Sequence, residues 1–515
     1  MLPYEPVTLM QLAMIVPLVA AVLIPVFGFS PNLREGVTLV AAAILAVIVW
    51  SLIPPILAGE RPDFELVEVV PGLRIAFELE PLGLIFALVA GSLWFLNSIY
   101  SIGYMRKANE PRQTQFYVCF AVAISSALAL AFSKNLFSMF LFYEVLSLST
   151  YPLVTHKGTE AAMKAGRVYL MLLMGTSIAL FLPGIVGIYV ISGTLDFTPG
   201  GVLAEAQATP FVIGGLLALF AFGIGKAAVV PFHFWLPAAM VAPTPVSALL
   251  HAVAVVKAGV FSVLKVVVYI FGIDTLTGSG ANAWLVYLAS FGVIMASIVA
   301  LNQDNLKARL AYSTVSQLAY IVLGAALATA ASVTGGALHI VMHAVGKITL
   351  FFCAGAIYVA HKKTEVSQLD GIGKLMPFTM GAFLIASLSI IGLPPFGGTW
   401  SKWFLALGAL DSQYQFAVAV FMISSLLNVA YLMPIVARAF FKPPPDAAPI
   451  TPVRMAEAPL ACVVPICITA VGCLVLFFMA EPVAELAQMI DLRAVDAPQT
   501  ADGATPGVGG VGNGR

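Results

Sequence analysis

Long apolar runs recur along almost the whole chain, separated by short polar gaps. We place fourteen of them, at 8–29, 36–58, 81–104, 115–133, 136–155, 165–193, 210–231, 246–270, 283–301, 309–329, 335–360, 377–405, 414–437 and 459–480. Each run is long enough to cross roughly 30 Å of hydrocarbon as a helix. The first has no basic flank or small-residue cleavage site, so we expect it to be retained rather than cleaved as a signal peptide. The pattern predicts an all-α polytopic membrane protein of about fourteen transmembrane helices.

Two stretches depart from this pattern. Residues 60–80 alternate apolar and polar positions around Pro71-Gly72, which predicts a short hairpin outside the membrane. Residues 493–515 are rich in Gly, Ala, Pro and Asp, a composition typical of a disordered tail.

The composition supports a membrane location and excludes several classes of function. The chain has 515 residues, of which 60% are hydrophobic and 10% charged, whereas charged residues make up about a quarter of a soluble domain. Its 25 basic and 25 acidic residues balance, so no nucleic-acid partner is expected. The five cysteines show no zinc or iron–sulfur spacing and no dinucleotide fingerprint is present, so we expect no cofactor and no metal.

The charges in the gaps predict an orientation. If the fourteen helices alternate, the odd-numbered gaps hold fifteen basic residues against eight acidic ones, and the even-numbered gaps with the termini hold five against sixteen. Basic residues concentrate on the cytoplasmic side of membrane proteins. We therefore expect a multi-pass protein of the cell (inner) membrane with both termini on the non-cytoplasmic side.

Six charged residues remain inside the predicted helices: Glu144, Lys226, Lys257, Lys265, Lys347 and Lys402. A charge at the bilayer centre costs roughly 2.5–3.5 kcal/mol even on the lenient insertion scale. These side chains should therefore face the protein interior and serve a function. For Lys265, which is near the end of its helix, a purely structural contact is an equally good interpretation.

Two of the lysines accompany prolines that should interrupt their helices. Pro231 follows Lys226, and Pro394 and Pro395 precede Lys402. Interrupted helices at matching positions in two halves are typical of inverted-repeat transporters. We expect repeats at 111–272 (helices four to eight) and 273–440 (helices nine to thirteen), preceded by helices one to three at 1–110 and followed by helix fourteen within 441–492.

Histidines and lysines fill the space between these two breaks. The eighth helix carries His251 and Lys257, and the eleventh carries His339, His343 and Lys347 at intervals of four residues, hence on one helix face. Buried imidazole and amine groups suit proton relay near neutral pH. Metal binding by His339 and His343 is the alternative, but neither an acidic nor a cysteine ligand accompanies them.

One part of the sequence resembles a known family. The run Lys226-Ala-Ala-Val-Val-Pro-Phe-His-Phe-Trp-Leu-Pro237, followed by Ala242-Pro-Thr-Pro-Val-Ser-Ala-Leu-Leu-His-Ala252 and Val256-Lys-Ala-Gly259, is similar to the antiporter-like subunits shared by respiratory complex I (NADH:quinone oxidoreductase), Mrp-type monovalent cation/proton antiporters and membrane-bound hydrogenases. The run Gly392-Leu-Pro-Pro-Phe396 and Glu144 agree with it. The resemblance implies two inverted five-helix repeats, with helices seven and twelve discontinuous.

The resemblance also implies roles for the buried charges along a proton-transfer path. Glu144 and Lys226 would be the family's ion pair, and Lys402 the terminal lysine. His251, Lys257, His343 and Lys347 would form the central relay between them. One complex I subunit of this type carries glutamate where Lys402 stands. The chain also ends soon after the fourteenth helix, without the long lateral helix or extended C-terminal region of other members.

We therefore expect a proton-translocating subunit of a multisubunit membrane complex. Its partners would be other membrane subunits, protons, the lipid bilayer and, in an antiporter, Na⁺ or K⁺. A self-contained secondary transporter is the alternative. The sequence leaves open whether a redox reaction or an ion gradient drives transport, and hence whether the chain serves an NADH:quinone oxidoreductase-type or hydrogenase-type enzyme.

Overall fold

The computed structural model describes residues 4–70, 72–204, 208–443 and 455–490. Sixteen helices of at least nine residues account for most of these ranges: α1 (Pro6–Val26), α2 (Pro31–Leu57), α3 (Pro81–Lys107), α4 (Gln113–Ala131), α5 (Leu136–Val154), α6 (Glu160–Ser192), α7 (Pro210–Gly223), α8 (Thr244–Phe271), α9 (Ala283–Leu301), α10 (Leu306–Leu327), α11 (Ala330–His361), α12 (Pro377–Ile391), α13 (Gly398–Asp411), α14 (Phe416–Phe441), α15 (Leu460–Phe478) and α16 (Ala480–Gln488). Shorter helical turns lie at Gly225–Ala227, Trp235–Ala238, Ala239–Val241, Ile273–Ser279, Val366–Gln368 and Ile372–Leu375.

The helices confirm an all-α multi-pass membrane protein. In the described ranges twelve helices are long and apolar enough to cross a membrane, and α7 and α12 are shorter apolar helices. Each of the fourteen predicted spans overlaps one of these fourteen helices; the span at 377–405 also includes the start of α13, and the span at 210–231 extends beyond the end of α7. The predicted tail at 493–515 lies outside the described residues.

The two predicted interruptions are present. The first break follows α7, where the chain continues through the turn Gly225–Ala227 and a left-handed residue, Ala228. The second follows α12, where Gly392 is left-handed with φ 89°, and helix geometry resumes at Gly398. Glycine adopts such an angle without a steric penalty, and the two prolines after it cannot continue a helix. Each break therefore lies beside one of the predicted lysines, Lys226 being fully buried and Lys402 partly buried.

The predicted hairpin is also present. Strand β1 (Asp63–Val70) pairs antiparallel with β2 (Leu73–Glu78), and bulges interrupt the register on β1. Its inner end is attached to the start of α5, because Ser138 Oγ accepts a hydrogen bond from the Ala76 amide at 3.0 Å. An ion pair between Lys134 and Asp63 joins the same two regions.

Burial is greatest in α8, α10 and α11, of which α8 and α11 carry the central candidate residues. All of the most apolar part of α8 is buried, and 89% of the corresponding parts of α10 and α11, against 44% for α1 and 39% for α2. Helices α8, α10 and α11 therefore form the centre of the protein, enclosed by the others. Their charged side chains are shielded from lipid.

Candidate functional site

Lys226 lies in the first helix break, completely buried against α5. Its Nζ donates to the Tyr143 carbonyl oxygen at 2.8 Å and to Ser147 Oγ at 2.6 Å. The ammonium also lies 3.1 Å from the centroid of the Tyr143 ring, a cation–π contact. Because α7 has ended, the Lys226 amide is free to donate to the Tyr143 hydroxyl at 2.9 Å. Tyr143 of α5 thus binds both the backbone amide and the side-chain ammonium of Lys226.

Glu144 follows Tyr143 on α5, and its charge interacts with that of Lys226. Among the described residues, however, no ion pair within 4.0 Å joins the two, and the carboxylate of Glu144 instead interacts with the side chain of Ser177 on α6. The ion pair implied by the family resemblance is therefore open in this structure. A widened π-helical turn at Ser177–Phe181 of α6 packs here, with Phe181 5.5 Å from the Tyr143 ring. Such turns are frequent at functional sites.

Lys257 is paired with α11 rather than with its neighbour on α8. Its Nζ lies 2.6 Å from His343 Nδ1. His251 lies in another widened turn, Leu249–Val253, and its ring packs against Phe351 at 4.6 Å. Neither ring nitrogen of His251 has a hydrogen-bond partner within the described residues. The direct contact in the centre is thus between Lys257 and His343, and His251 stands apart with two unused nitrogens.

His339 continues the row towards the second helix break. Its ring is 5.7 Å from that of His343. Its Nδ1 lies 2.9 Å from Ser401 Oγ and its Nε2 lies 3.1 Å from Gln317 Oε1, so both nitrogens are engaged. In the described part of the chain no three His, Cys, Asp or Glu residues are grouped as a metal site would require. Both ring nitrogens of His339 therefore already have a side-chain partner.

Lys347 is connected to α10 and α14 by hydroxyl groups. Its Nζ donates to Ser313 Oγ at 2.6 Å, and Ser313 Oγ lies 2.7 Å from the Tyr431 hydroxyl. That hydroxyl in turn lies 2.5 Å from the Asn428 carboxamide. All of these side chains are buried. A row of polar groups therefore leaves Lys347 in the direction of α14.

Lys402 lies at the other end of that row. It is on α13 after the second break, and its Nζ donates to the Ile391 carbonyl oxygen, left unpaired at the end of α12, at 2.9 Å. Ser425 Oγ accepts a second hydrogen bond at 3.0 Å, and the Tyr320 ring lies 5.0 Å away. Both interrupted helices thus provide a lysine next to backbone groups that the interruption has released.

Lys265 forms an ion pair with Glu80, a residue that the sequence pattern placed outside the membrane helices. Its Nζ lies 3.2 Å from Glu80 Oε1 and donates to the Ser133 carbonyl oxygen at 2.9 Å. Glu80 caps the N-terminus of α3, where its carboxylate accepts hydrogen bonds from the amides of Leu82 and Gly83. Side-chain exposure is only 1% for Lys265 and 9% for Glu80. This buried ion pair is separate from the row of candidate residues and supports a structural role for Lys265.

The structure adds polar residues that the sequence analysis did not single out: Ser313, Gln317, Ser401, Asn428 and Tyr431, together with Glu80. Serine, tyrosine and asparagine are common in membrane helices and carry no spacing signal. Only the packing of α10, α11, α13 and α14 shows which of them contact a lysine.

Comparison with known proteins identifies related chains. A family model described as NADH:quinone oxidoreductase/Mrp antiporter, TM matches residues 133–428. NADH-quinone oxidoreductase subunit N of Desulforudis audaxviator (strain MP104C) is 33% identical over 467 residues, 88% of this chain and 92% of that protein. A probable K(+)/H(+) antiporter subunit of Rhizobium meliloti (strain 1021), designated A/B, is 29% identical over 475 residues, 89% of this chain but 46% of that protein.

The fold is also similar to a solved structure. A chain in the structure of the Mrp complex from Dietzia sp. DQ12-45-1b superposes with a TM-score of 0.83 at 22% identity. The match covers 95% of this chain and 97% of that chain. The similarity therefore extends over all the helices that carry the candidate residues.

Proposed function

Because the chain belongs to the NADH:quinone oxidoreductase/Mrp antiporter transmembrane family, we propose that it is the proton-translocating, antiporter-like subunit of a multisubunit membrane complex. The observation that carries this proposal is the row of charged and imidazole groups from Lys226 through Lys257, His343 and Lys347 to Lys402. The first four are at most 1% exposed and Lys402 is partly buried, and the central three lie on α8 and α11, two of the most buried helices. Charged groups at this depth are costly, and a protein keeps them where protons or ions move.

Transport would begin with electrostatic switching at the first break. When Lys226 is drawn to Glu144, the carboxylate stabilises its charge. In the open arrangement seen here, Tyr143 and Ser147 hold the amine instead. Without a counter-charge in a low-dielectric site, the ammonium is ready to release a proton. Opening and closing of the Glu144–Lys226 pair would therefore control when Lys226 passes a proton to the central residues.

The proton would then pass through the centre to the second break. His343 joins Lys257 directly, and Lys347 follows one turn further along α11. Lys402 would release the proton to the opposite side of the membrane. His251, which has two unpaired ring nitrogens, would take part where a water molecule bridges it to the row.

The remaining features of the protein follow from this assignment. We propose two inverted repeats, 111–272 and 273–440, each containing one interrupted helix, and both termini on the non-cytoplasmic side. Its partners would be further membrane subunits, as the names of the relatives suggest, and lipid. Whether Na⁺ or K⁺ is exchanged would depend on the complex. The relatives include one named as part of a probable K⁺/H⁺ antiporter.

The test compares three variants of the purified complex in proteoliposomes, with a pH-sensitive dye as the readout. Lys226→Ala and Glu144→Gln should reduce the initial rate of proton translocation roughly a hundredfold or more, the usual effect of removing a positioned proton donor or acceptor. Lys107→Ala, at an exposed position at the end of α3, is the control and should transport normally. Full rates for both buried variants in an intact complex would refute the proposal.

A second measurement identifies the driving reaction. The chain is tagged, extracted in mild detergent, and the visible absorbance and protein composition of the purified material are recorded. Flavin and iron–sulfur absorbance would place it in a redox-driven pump. A colourless set of membrane subunits would place it in a cation/proton antiporter, and a lone active chain would instead support a self-contained transporter.

A further inference from the structure

A cavity of about 190 Å³ lies between the ends of several helices, and no residue of the proposed proton path lines it. Its walls come from α3, α8, α10 and α11 and from the segments that follow α5 and α11. These segments belong to the gaps whose basic residues predict the cytoplasmic side. Lys157, Lys307 and Lys363 line the cavity, whereas no acidic residue in the described ranges does. We call it the lysine cavity.

The three ammonium groups of the lysine cavity keep most of their hydrogen-bonding capacity. Each has three N–H donors, yet the one hydrogen bond that these side chains make to another described residue runs from Lys307 Nζ to the Ala242 carbonyl oxygen at 2.6 Å. None of them takes part in an ion pair within 4.0 Å in the described part of the chain. The Nζ atoms of Lys157 and Lys362 lie 5.9 Å and 4.8 Å from the centroid of the Tyr358 ring. A fourth positive charge therefore lies beside the three in the wall.

The nearby carboxylates do not neutralise these lysines. Glu110, in the loop after α3, is the carboxylate whose charge acts on Lys307. Burial raises the pKa of Glu110 despite the attraction of neighbouring lysines, and so opposes its ionisation. Glu365 is already bound by Asn305 Nδ2 at 3.0 Å and by Thr364 Oγ1 at 3.1 Å. The lysines therefore outnumber these carboxylates, and the cavity carries a net positive charge.

Two buried hydroxyl groups complete the wall. Tyr104 on α3 and Thr244 at the start of α8 are each 2% exposed, and their side chains hydrogen-bond to each other. When one hydroxyl donates to the other, the proton of the second remains free for an anion. Lysine ammonium and hydroxyl groups are common donors to phosphate oxygens in proteins. The lysine cavity thus offers both kinds of donor to one oxyanion.

We propose that the lysine cavity binds a phosphate group, with Lys157, Lys307 and Lys363 as its cationic ligands. Pockets for drug-sized ligands measure roughly 300–1,000 Å³, so a cavity of about 190 Å³ encloses one phosphate group and leaves the rest of a larger ligand outside. A free phosphate ion and the headgroup of an anionic phospholipid share this chemistry. Basic pockets between transmembrane helices on the cytoplasmic side bind such headgroups in other proteins. The site does not rest on the proposed proton path.

The convergence of these lysines needs a cause beyond membrane orientation. Basic residues gather on the cytoplasmic side of membrane proteins without any ligand. That bias places lysines in the gaps, but it does not bring three of them to the wall of one cavity. Ammonium groups in a partly enclosed space repel each other more strongly than in bulk water. A bound phosphate offsets this repulsion and joins several helix ends, so its binding should stabilise the protein against unfolding.

The first test measures the thermal unfolding midpoint of the purified complex in detergent as inorganic phosphate is added. A ligand of the folded state raises the midpoint, and sodium chloride at equal ionic strength corrects for screening. Lys157→Gln should weaken the apparent Kd for phosphate roughly tenfold, the effect of losing one hydrogen bond between charged groups. Lys164→Gln is the matched control and should bind phosphate normally. Lys164 is an exposed lysine on α6, and its substitution removes the same charge from a residue that does not line the cavity.

The second test replaces phosphate with phosphatidylglycerol, added to the delipidated complex, and counts the bound lipid by native mass spectrometry. If the cavity takes a headgroup, Lys164→Gln should retain more phosphatidylglycerol than Lys157→Gln. A difference between the variants with phosphate alone identifies a soluble ligand, and a difference with the lipid alone identifies a headgroup. A difference with both supports recognition of the shared phosphate group. No difference with either probe overturns the proposal.

The third test uses the unaltered complex, so it does not depend on the assembly of a variant. Lysines are acetylated with an amine-reactive reagent, with and without saturating phosphate or phosphatidylglycerol, and the modified positions are quantified by mass spectrometry. Bound phosphate should reduce the labelling of Lys157 and Lys363 severalfold and leave that of Lys164 unchanged. Equal labelling of Lys157 and Lys363 with and without both probes would refute the site. None of these readouts measures proton translocation, so the site can fail while the proposed function stands, and the reverse.

Discussion

Gly259 fixes the distance between α8 and the turn that carries Lys226. A β-carbon added at Gly259 would lie 2.2 Å from the Ala227 nitrogen, 2.3 Å from the Lys226 carbonyl carbon and 2.6 Å from the Lys226 oxygen. Carbon atoms in contact are about 3.5–4.0 Å apart, so Gly259→Ala must displace the Lys226 backbone by roughly 1 Å. No side-chain rotation can relieve this clash, because every close atom belongs to the backbone.

Gly259→Ala should reduce the rate of proton translocation more than the yield of assembled complex. Overpacking of this kind costs about 1–3 kcal/mol of stability, which the complex can tolerate, whereas a 1 Å misplacement of a reacting group can cost about a hundredfold in rate. The assay measures the yield of intact complex and the initial rate of dye-detected proton translocation for the same preparation. Gly215→Ala on α7 is the control, because its added β-carbon has no neighbour within 4 Å. If Gly259→Ala transports as fast as Gly215→Ala, Lys226 does not depend on the close packing of α8.

Two further predictions concern residues outside the row. Breaking the buried pair of Glu80 and Lys265 with Glu80→Gln should destabilise the protein by roughly 3–5 kcal/mol. The control Asp196→Asn, in a half-exposed ion pair with Arg74, should cost at most about 1 kcal/mol. Thermal unfolding in detergent compares the two variants, and equal unfolding midpoints would contradict this difference. Hydrogen bonds from Ser367 lower the pKa of Asp304 below its ordinary 3.8. Their stabilisation is complete above that value and is lost as the pH falls through the lowered pKa, so the stability deficit of Asp304→Asn should be present at neutral pH and shrink under strong acid. A pH-independent deficit would argue against this cause.

The interrupted helices show how far sequence reasoning extends in a membrane protein. The pair Pro394-Pro395 located the second break correctly, because proline removes a backbone donor whatever surrounds it. Pro231 indicated that the seventh helix is interrupted but misplaced the break, since α7 ends at Gly223, before Lys226 rather than one turn after it. The same reasoning did not identify Glu80 as a buried residue. Its position after a polar hairpin is typical of a loop, and only the packing of α3 against α8 encloses it with Lys265.

The partner of Lys257 also could not be predicted from the sequence, because the packing of α8 against α11 decides it. Lys257 and His251 are six residues apart on α8, yet Lys257 contacts His343, which is 86 residues away. The widened turn at Leu249–Val253 shifts the register between the two α8 residues. Proximity in sequence was therefore a poor guide to the contact, although all three residues were correctly predicted to be buried.

The sequence by itself determined the class of protein, the fourteen apolar spans, the presence of two interruptions and the lysines and glutamate that lie within helices. These features follow from hydrocarbon thickness and from the cost of exposing charge or unpaired backbone to lipid, which act on each segment separately. Tertiary structure alone decided which partner each charge has: Tyr143 and Ser147 for Lys226, Ser313 for Lys347, and Glu80 for Lys265. Hydrogen bonds reach only about 3 Å, so they are set by the side-chain packing of helices distant in sequence, which periodicity and composition do not encode.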